Sequence, residues 1–119
     1  MNEVIVFREA QSSRPLFRAK HAYSFWSRLR GLIGRPALAP EEALLLTPCG
    51  GVHTFGMRNA IDVVFLNAGK TIVKCVPELR PGRTATARGA RHVLELAPGA
   101  LQRTGLRAGD SLEWTEARE

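Results

Sequence analysis

The chain has 119 residues, 45% of them hydrophobic and 24% charged, a balance that excludes intrinsic disorder and fits a single domain with its own core. A chain of this length buries roughly two-thirds of its unfolded surface, so neither a disulfide nor a structural metal is needed to hold it. The formal charge of +6 permits an acidic partner, but 14 of the 17 basic residues are arginines scattered from Arg8 to Arg118, and no single basic stripe marks a nucleic-acid face.

The first residues, Met1-Asn2-Glu3-Val4-Ile5-Val6-Phe7-Arg8, lack the positive n-region, apolar core and small-residue cleavage site of a secretory signal. No apolar run reaches the roughly 18 residues of a membrane span. A cytoplasmic location is expected, with Cys49 and Cys75 as free, buried thiols.

Pro and Gly punctuate the chain about every ten residues, the spacing of short strands joined by turns. Val4 to Phe7 is a continuous apolar run and reads as a buried strand; Gln11 to Pro15 turns the chain into a second strand near Leu16 to Ala19. Ser24 is a candidate N-cap for a helix in which Phe25, Leu29, Leu32 and Ile33 share one face, ended by Gly34 and Pro36. Ala43 to Thr47 is a strand stopped by Pro48, and from Cys49 to Asn59 regular patterning ceases. Ile61 to Leu66 resumes as a strand with Ile61, Val63 and Phe65 on one face; Asn67-Ala68-Gly69-Lys70 is a hairpin turn into Thr71 to Val76. Pro77 to Gly89 reads as a loop, His92 to Leu96 as a strand, and Pro98 to Thr104 as a short helix closed by Gly105. Gly109-Asp110 turns into a last strand with Leu112 and Trp114 inward. The expected fold is mainly β, one domain over 1–119: a jelly-roll-like sandwich or partly open barrel of about seven short strands with two short helices.

The segment from Met57 to Val73, built around Arg58-Asn59-Ala60-Ile61-Asp62-Val63-Val64-Phe65, resembles the central signature of a prokaryotic family known as domain of unknown function 192. Arg28-Leu29-Arg30-Gly31-Leu32-Ile33-Gly34-Arg35 is similar to that family's N-terminal helix motif. Val93-Leu94-Glu95-Leu96-Ala97-Pro98-Gly99 and Gly105-Leu106-Arg107-Ala108-Gly109-Asp110 are similar to its C-terminal one. The likeness runs from about Ala19 to Trp114, with Ala60 where many members have proline and Gly56 where many have an aromatic residue. It implies a small, mainly β domain of jelly-roll or barrel character and no established reaction, cofactor or substrate.

The densest polar cluster is His53, Thr54, Arg58, Asn59 and Asp62. An ionised Asp62 flanked by Ile61 and Val63 must be paired, hydrogen-bonded or exposed, because an uncompensated buried charge costs several kcal/mol or titrates away. Arg58 is its nearest candidate partner in sequence, and the plainest reading is that Arg58, Asn59 and Asp62 brace an irregular turn. Cys49 and His53 stand four apart, and with Cys75 or His92 they offer zinc-type ligands, yet no Cys-x-x-Cys pair or His-Glu-x-x-His run supports a metal. Cys49 and Cys75 read as small core residues, His92 as a packed or edge histidine, His21 as a surface one. No glycine pattern of a phosphate-binding loop is present, and no cofactor is expected.

Three functions follow from these residues. The first is a non-catalytic binding or accessory domain with a groove edged by His53, Phe55, Met57, Arg58, Asn59 and Asp62, taking a small anionic or peptide-like ligand or a protein partner. The second is a hydrolase-like enzyme with Cys49 as nucleophile and His53 as base. The third is nucleic-acid binding through the loop from Arg80 to Arg91. The oligomeric state is not encoded in any of these features.

Overall fold

The computed structural model describes residues 2–23 and 37–117. It contains β1 (Asn2–Arg8), β2 (Pro15–Ala22), β3 (Glu42–Leu46), β4 (Gly51–His53), β5 (Ile61–Leu66), β6 (Ile72–Leu79), β7 (Thr84–Thr86), β8 (His92–Leu96), one helix α1 (Ala100–Thr104) and β9 (Leu112–Glu116). Seven strands form one mixed sheet in the order β6-β5-β8-β3-β2-β1-β9, and β4 pairs with β7 in a two-stranded sheet. The end strands of the large sheet meet at an antiparallel bridge between Thr71 and Ser111. Main-chain bonds from Leu112 N to Lys70 O (2.9 Å) and from Ile72 N to Asp110 O (2.8 Å) reinforce it. The sheet is therefore a partly open barrel, joined at one end of its seam and not closed along the rest. Among the described residues no helix is long and apolar enough to cross a membrane.

β2 and β3 run parallel, and parallel neighbours cannot be joined by a tight turn. The helix expected from Ser24 to Ile33 lies between them in sequence, outside the described residues. Where a strand has one wet face, alternation sets its register: in β2, Phe17 and Ala19 are buried while Arg18 and Lys20 are exposed. The central strands β5 and β8 are buried on both faces. Val64, Leu66, Leu94 and Leu96 fill the barrel lumen with Val4, Val6, Phe17, Leu45 and Leu112. Ile61, Val63, Phe65 and Val93 form the outer cluster. Each such side chain contributes roughly 1.5–3 kcal/mol by leaving water.

Two expectations about regular structure are corrected. The stretch from Pro77 to Gly89 is not all loop, because β6 runs through Pro77 to Leu79 and β7 follows. β6 is an edge strand, where a proline without an N–H is tolerated. Among the described residues there are nine strands rather than about seven, the additions being the three-residue β4 and β7, too short to leave a periodic signal.

Pro77 and Glu78 bulge opposite Asp62, since Ile61 pairs with Leu79 and Val63 already with Val76. Glu78 sits at φ 49, and its N–H donates to Asp62 Oδ1 at 2.9 Å. The other carboxylate oxygen, Oδ2, accepts the Leu101 N–H at 2.9 Å. α1 starts at Gly99, which has no side chain to cap it, so a carboxylate from β5 takes the place of the usual N-cap. Removing it leaves two N–H groups unsatisfied, at about 1–3 kcal/mol each. Asp62→Ala is expected to lower the unfolding free energy by about 3 kcal/mol or more, and Asp62→Asn by less, because one oxygen survives. Urea unfolding of both variants checks the order; a neutral Asp62→Ala would refute the assignment.

Candidate functional site

The irregular stretch after β3 becomes regular only at β4, which pairs with β7 through Gly51–Thr86, Val52–Ala85 and His53–Thr84. This small sheet covers the outer cluster through Val52, Met57, Ala85, Ala87 and Ala90. Thr54 is fully buried and clamps two loops together. Its N–H donates to Arg83 O at 2.8 Å and its carbonyl accepts from Gly82 N at 3.0 Å. Its hydroxyl donates to Arg80 O and accepts the Arg83 N–H at 2.9 Å.

Beyond this clamp Phe55 stands 52% exposed. It stacks on His53, with centroids 5.1 Å apart and an interplanar angle of 23°. The Phe55 N–H donates to His53 Nδ1 at 3.2 Å, which puts the proton of the neutral ring on Nε2. Met57 is half-buried, and Arg58, Asn59, Arg80 and Arg83 are exposed. His53, Phe55, Met57, Arg58 and Asn59 therefore lie on one rigidly based loop, with further guanidinium groups on the loop clamped to it.

Asp62 does not belong to this surface. It is 1% exposed, and its oxygens are taken by main-chain N–H groups of β6 and α1. The expected Arg58–Asp62 pair is not formed; among the described residues the ion pairs are Arg8–Asp110 and Arg18–Glu3. Proximity in sequence misled here because a strand sends alternate side chains to opposite faces, and Asp62 follows the inward one. The Cys49 Sγ–H donates to the main-chain Gly51 O at 3.0 Å. Cys49 packs on the outer cluster and Cys75 on the lumen, so the sheet separates two of the four zinc-type ligands. Among the described residues no group of three or more His, Cys, Asp or Glu side chains is placed to hold a metal. Burial pushes the Cys75 thiol pKa up.

A second polar cluster, which the sequence reading did not assemble, lies at the end of the barrel opposite α1. His21, expected at the surface, is 4% exposed there; the lumen face of β2 continues from Phe17 and Ala19 to His21. His21 Nε2 lies 2.8 Å from Thr47 Oγ1, and Thr47 Oγ1 lies 2.7 Å from His92 Nδ1. Trp114 meets both rings edge-on, at 4.9 Å from His92 and 6.0 Å from His21. Lys70 Nζ sits 4.5 Å from the Trp114 ring centroid. The spacing of His21, Thr47 and His92 along the chain carries no hint of this; only the lateral strand order β8-β3-β2 brings them together.

Both imidazoles have pKa values lowered to about 4, mainly by burial. The cluster's own charges, His92 and Lys70 on His21, and Lys70 and Arg91 on His92, push the same way. Glu95 is buried on the outer face between Leu44 and Val63 with Oε2 unpartnered, and burial raises its pKa to about 7. The two effects have opposite signs. The histidines favour the fold fully above pH 6.5 and lose that contribution as pH falls toward 4. Glu95 favours it below pH 4.5 and loses that contribution as pH rises through 7. Between about pH 5 and 6 the unfolded chain thus binds about two extra protons through histidine while the native state keeps about one on Glu95. Glu95→Gln is expected to roughly double the slope of unfolding free energy against pH in that window, from one proton to two; urea titrations at half-unit pH steps read it, and an unchanged slope would count against a neutral Glu95.

The comparisons with known proteins agree with the fold. A UPF0127 protein of Thermococcus sibiricus is 29% identical over 110 residues, covering 86% of this chain and 69% of that protein. One from Pyrococcus furiosus is 39% identical over 64 residues, about half of each chain. A solved structure from Sinorhizobium meliloti 1021 superimposes with a TM-score of 0.80 at 23% identity, covering 95% of this chain and 92% of that one. A protein of unknown function from Novosphingobium aromaticivorans gives a TM-score of 0.79 at 23% identity, covering 94% and 84%. The family model of domain of unknown function 192, described as Uncharacterized ACR, matches residues 6–114, beginning earlier than the resemblance near Ala19 had placed it. On that match, and with the fold in agreement, the chain belongs to the DUF192 family.

Proposed function

We propose that this domain is a non-catalytic binding module that holds an anionic, peptide-like ligand on the surface formed by His53, Phe55, Met57, Arg58 and Asn59. The observation that carries this reading is Phe55. A large aromatic side chain half in water, stacked on His53 and based on the fully buried Thr54 clamp, offers apolar area with little left to order on binding. Arg58 beside it makes paired hydrogen bonds to a carboxylate, and Asn59 orients the group. Arg80 and Arg83 on the clamped loop add attraction for acidic chains. Asp62 has no part in binding. The two unbridged thiols fit a reducing, cytoplasmic setting.

A labelled acidic peptide of alternating Glu and Phe is the probe. Arg58→Ala and Phe55→Ala are each expected to weaken its binding about tenfold, or about 1.4 kcal/mol, while the melting temperature stays within about a degree, since surface substitutions cost little stability. Wild-type affinity in Arg58→Ala would reject the reading.

One observation favours a second. Arg80, Arg83, Arg88 and Arg91 are all exposed, and an exposed aromatic beside arginines is also how single-stranded nucleic acid is held. The Sinorhizobium meliloti relative is provisionally named a transcription regulator. Competition by an oligothymidylate, with affinity falling steeply as salt rises, separates that reading from the peptide one. For the hydrolase alternative, alkylation of Cys49 by iodoacetamide across pH 5 to 9 is the test, and rapid modification near pH 6 would support the nucleophile.

A further inference from the structure

The cluster at the end of the barrel opposite α1 is separate from the surface just described. It is built from three adjacent strands and two further elements, and one of its atoms is orphaned: His21 Nδ1 is buried without a hydrogen-bond partner. Buried polar groups are rarely left so, and each costs about 1–3 kcal/mol when it is.

Proton bookkeeping along the chain of contacts fixes what the orphan needs. Thr47 Oγ1 has one proton and two imidazole neighbours, so it donates to one ring and accepts from the other. If it donates to His92 Nδ1, His21 carries its proton on Nε2, and Nδ1 is a bare lone pair seeking a donor. If it donates to His21 Nε2, Nδ1 becomes an N–H seeking an acceptor, and His92 donates from its own Nδ1. The charges decide between them. The groups acting on the two rings are Lys70, Arg91 and the partner histidine, all cationic or neutral. The nearby carboxylates of β9, Glu113 and Glu116, are exposed. Among the described residues Lys70 pairs with no carboxylate and lies over the Trp114 face instead. Lys70 also holds φ 66, a conformation that glycine adopts at less cost.

We propose that this end of the barrel binds a small oxyanion, held by the Lys70 ammonium and the His21 Nδ1–H against the Trp114 ring. Binding selects the second arrangement: His21 protonated on Nδ1, Thr47 donating to His21 Nε2, and His92 donating from Nδ1 to Thr47. Carboxylate and phosphate share this chemistry.

The chain has three histidines, so imidazole NMR resolves each ring. Acetate and inorganic phosphate are titrated separately against the full chain at constant ionic strength set with chloride. The expected result is a saturable, joint shift of His21 and His92 with either salt at pH 7.5. His92 should carry its proton on Nδ1 when bound. Response to acetate alone assigns a carboxylate ligand, and to phosphate alone a phosphate; both support the site. Lys70→Asn, which removes the charge and tolerates the left-handed backbone, should weaken binding at least tenfold while leaving any peptide effect on His53 intact. Non-saturating drift up to tens of millimolar, His92 protonated on Nε2 in the bound state, or an unaffected Lys70→Asn would overturn the proposal.

Discussion

One carboxylate sets the geometry on which the rest of the molecule depends. Asp62 accepts the Glu78 N–H from the bulge in β6 and the Leu101 N–H from α1, and both groups lack any other local solution. Pro77 breaks the hydrogen-bond ladder of β6, Glu78 is turned into the left-handed region, and Gly99 leaves α1 uncapped. A short helix gains little from its own hydrogen bonds; α1 persists because its Ala100 and Leu101 pack in the lumen while Asp62 accepts the buried Leu101 N–H. The helix then stoppers one end of the barrel. The polar side chains that remain in the lumen are confined to the other end.

Much of this architecture was legible in sequence, for physical reasons that differ from element to element. β5 and β8 are dense apolar runs because both faces are covered, and their limits were read correctly. The turn at Asn67-Ala68-Gly69-Lys70 was equally visible, since Asn67 closes it by accepting from Thr71 N and Lys70 N. Its left-handed residue is Lys70. β4 and β7 were missed because three residues carry no period, and what holds them is the buried hydroxyl of Thr54, a contact between segments 26 to 29 residues apart.

The candidate sites divide along the same line. Phe55 and Arg58 could be named in advance because local composition makes an apolar and cationic loop conspicuous. The fate of Asp62 could not be, since its partners lie 16 and 39 residues away. His21 was misread for a related reason: beside exposed Lys20 and Tyr23 it looks like surface, whereas the inward face of β2 claims it. Burial of a polar residue follows from register, and register follows from pairings with strands distant in sequence.

The two sites occupy opposite faces of one sheet yet share a length of chain. Thr47 lies at the polar end of the barrel, and six residues later His53 supports Phe55 on the outer surface. Between them the Cys49 N–H is tied to Arg91 O, next to His92, which accepts or donates at Thr47. The segment from Thr47 to His53 is thus anchored at both ends by side chains of the proposed sites and in its middle by the strand that carries His92. Adjacency along the chain is not coupling, which needs a two-state element that both sites bias: the Thr47 hydroxyl bonds within the barrel, whereas the outer loop is fixed separately by the Thr54 hydroxyl on Arg80 O and Arg83 N.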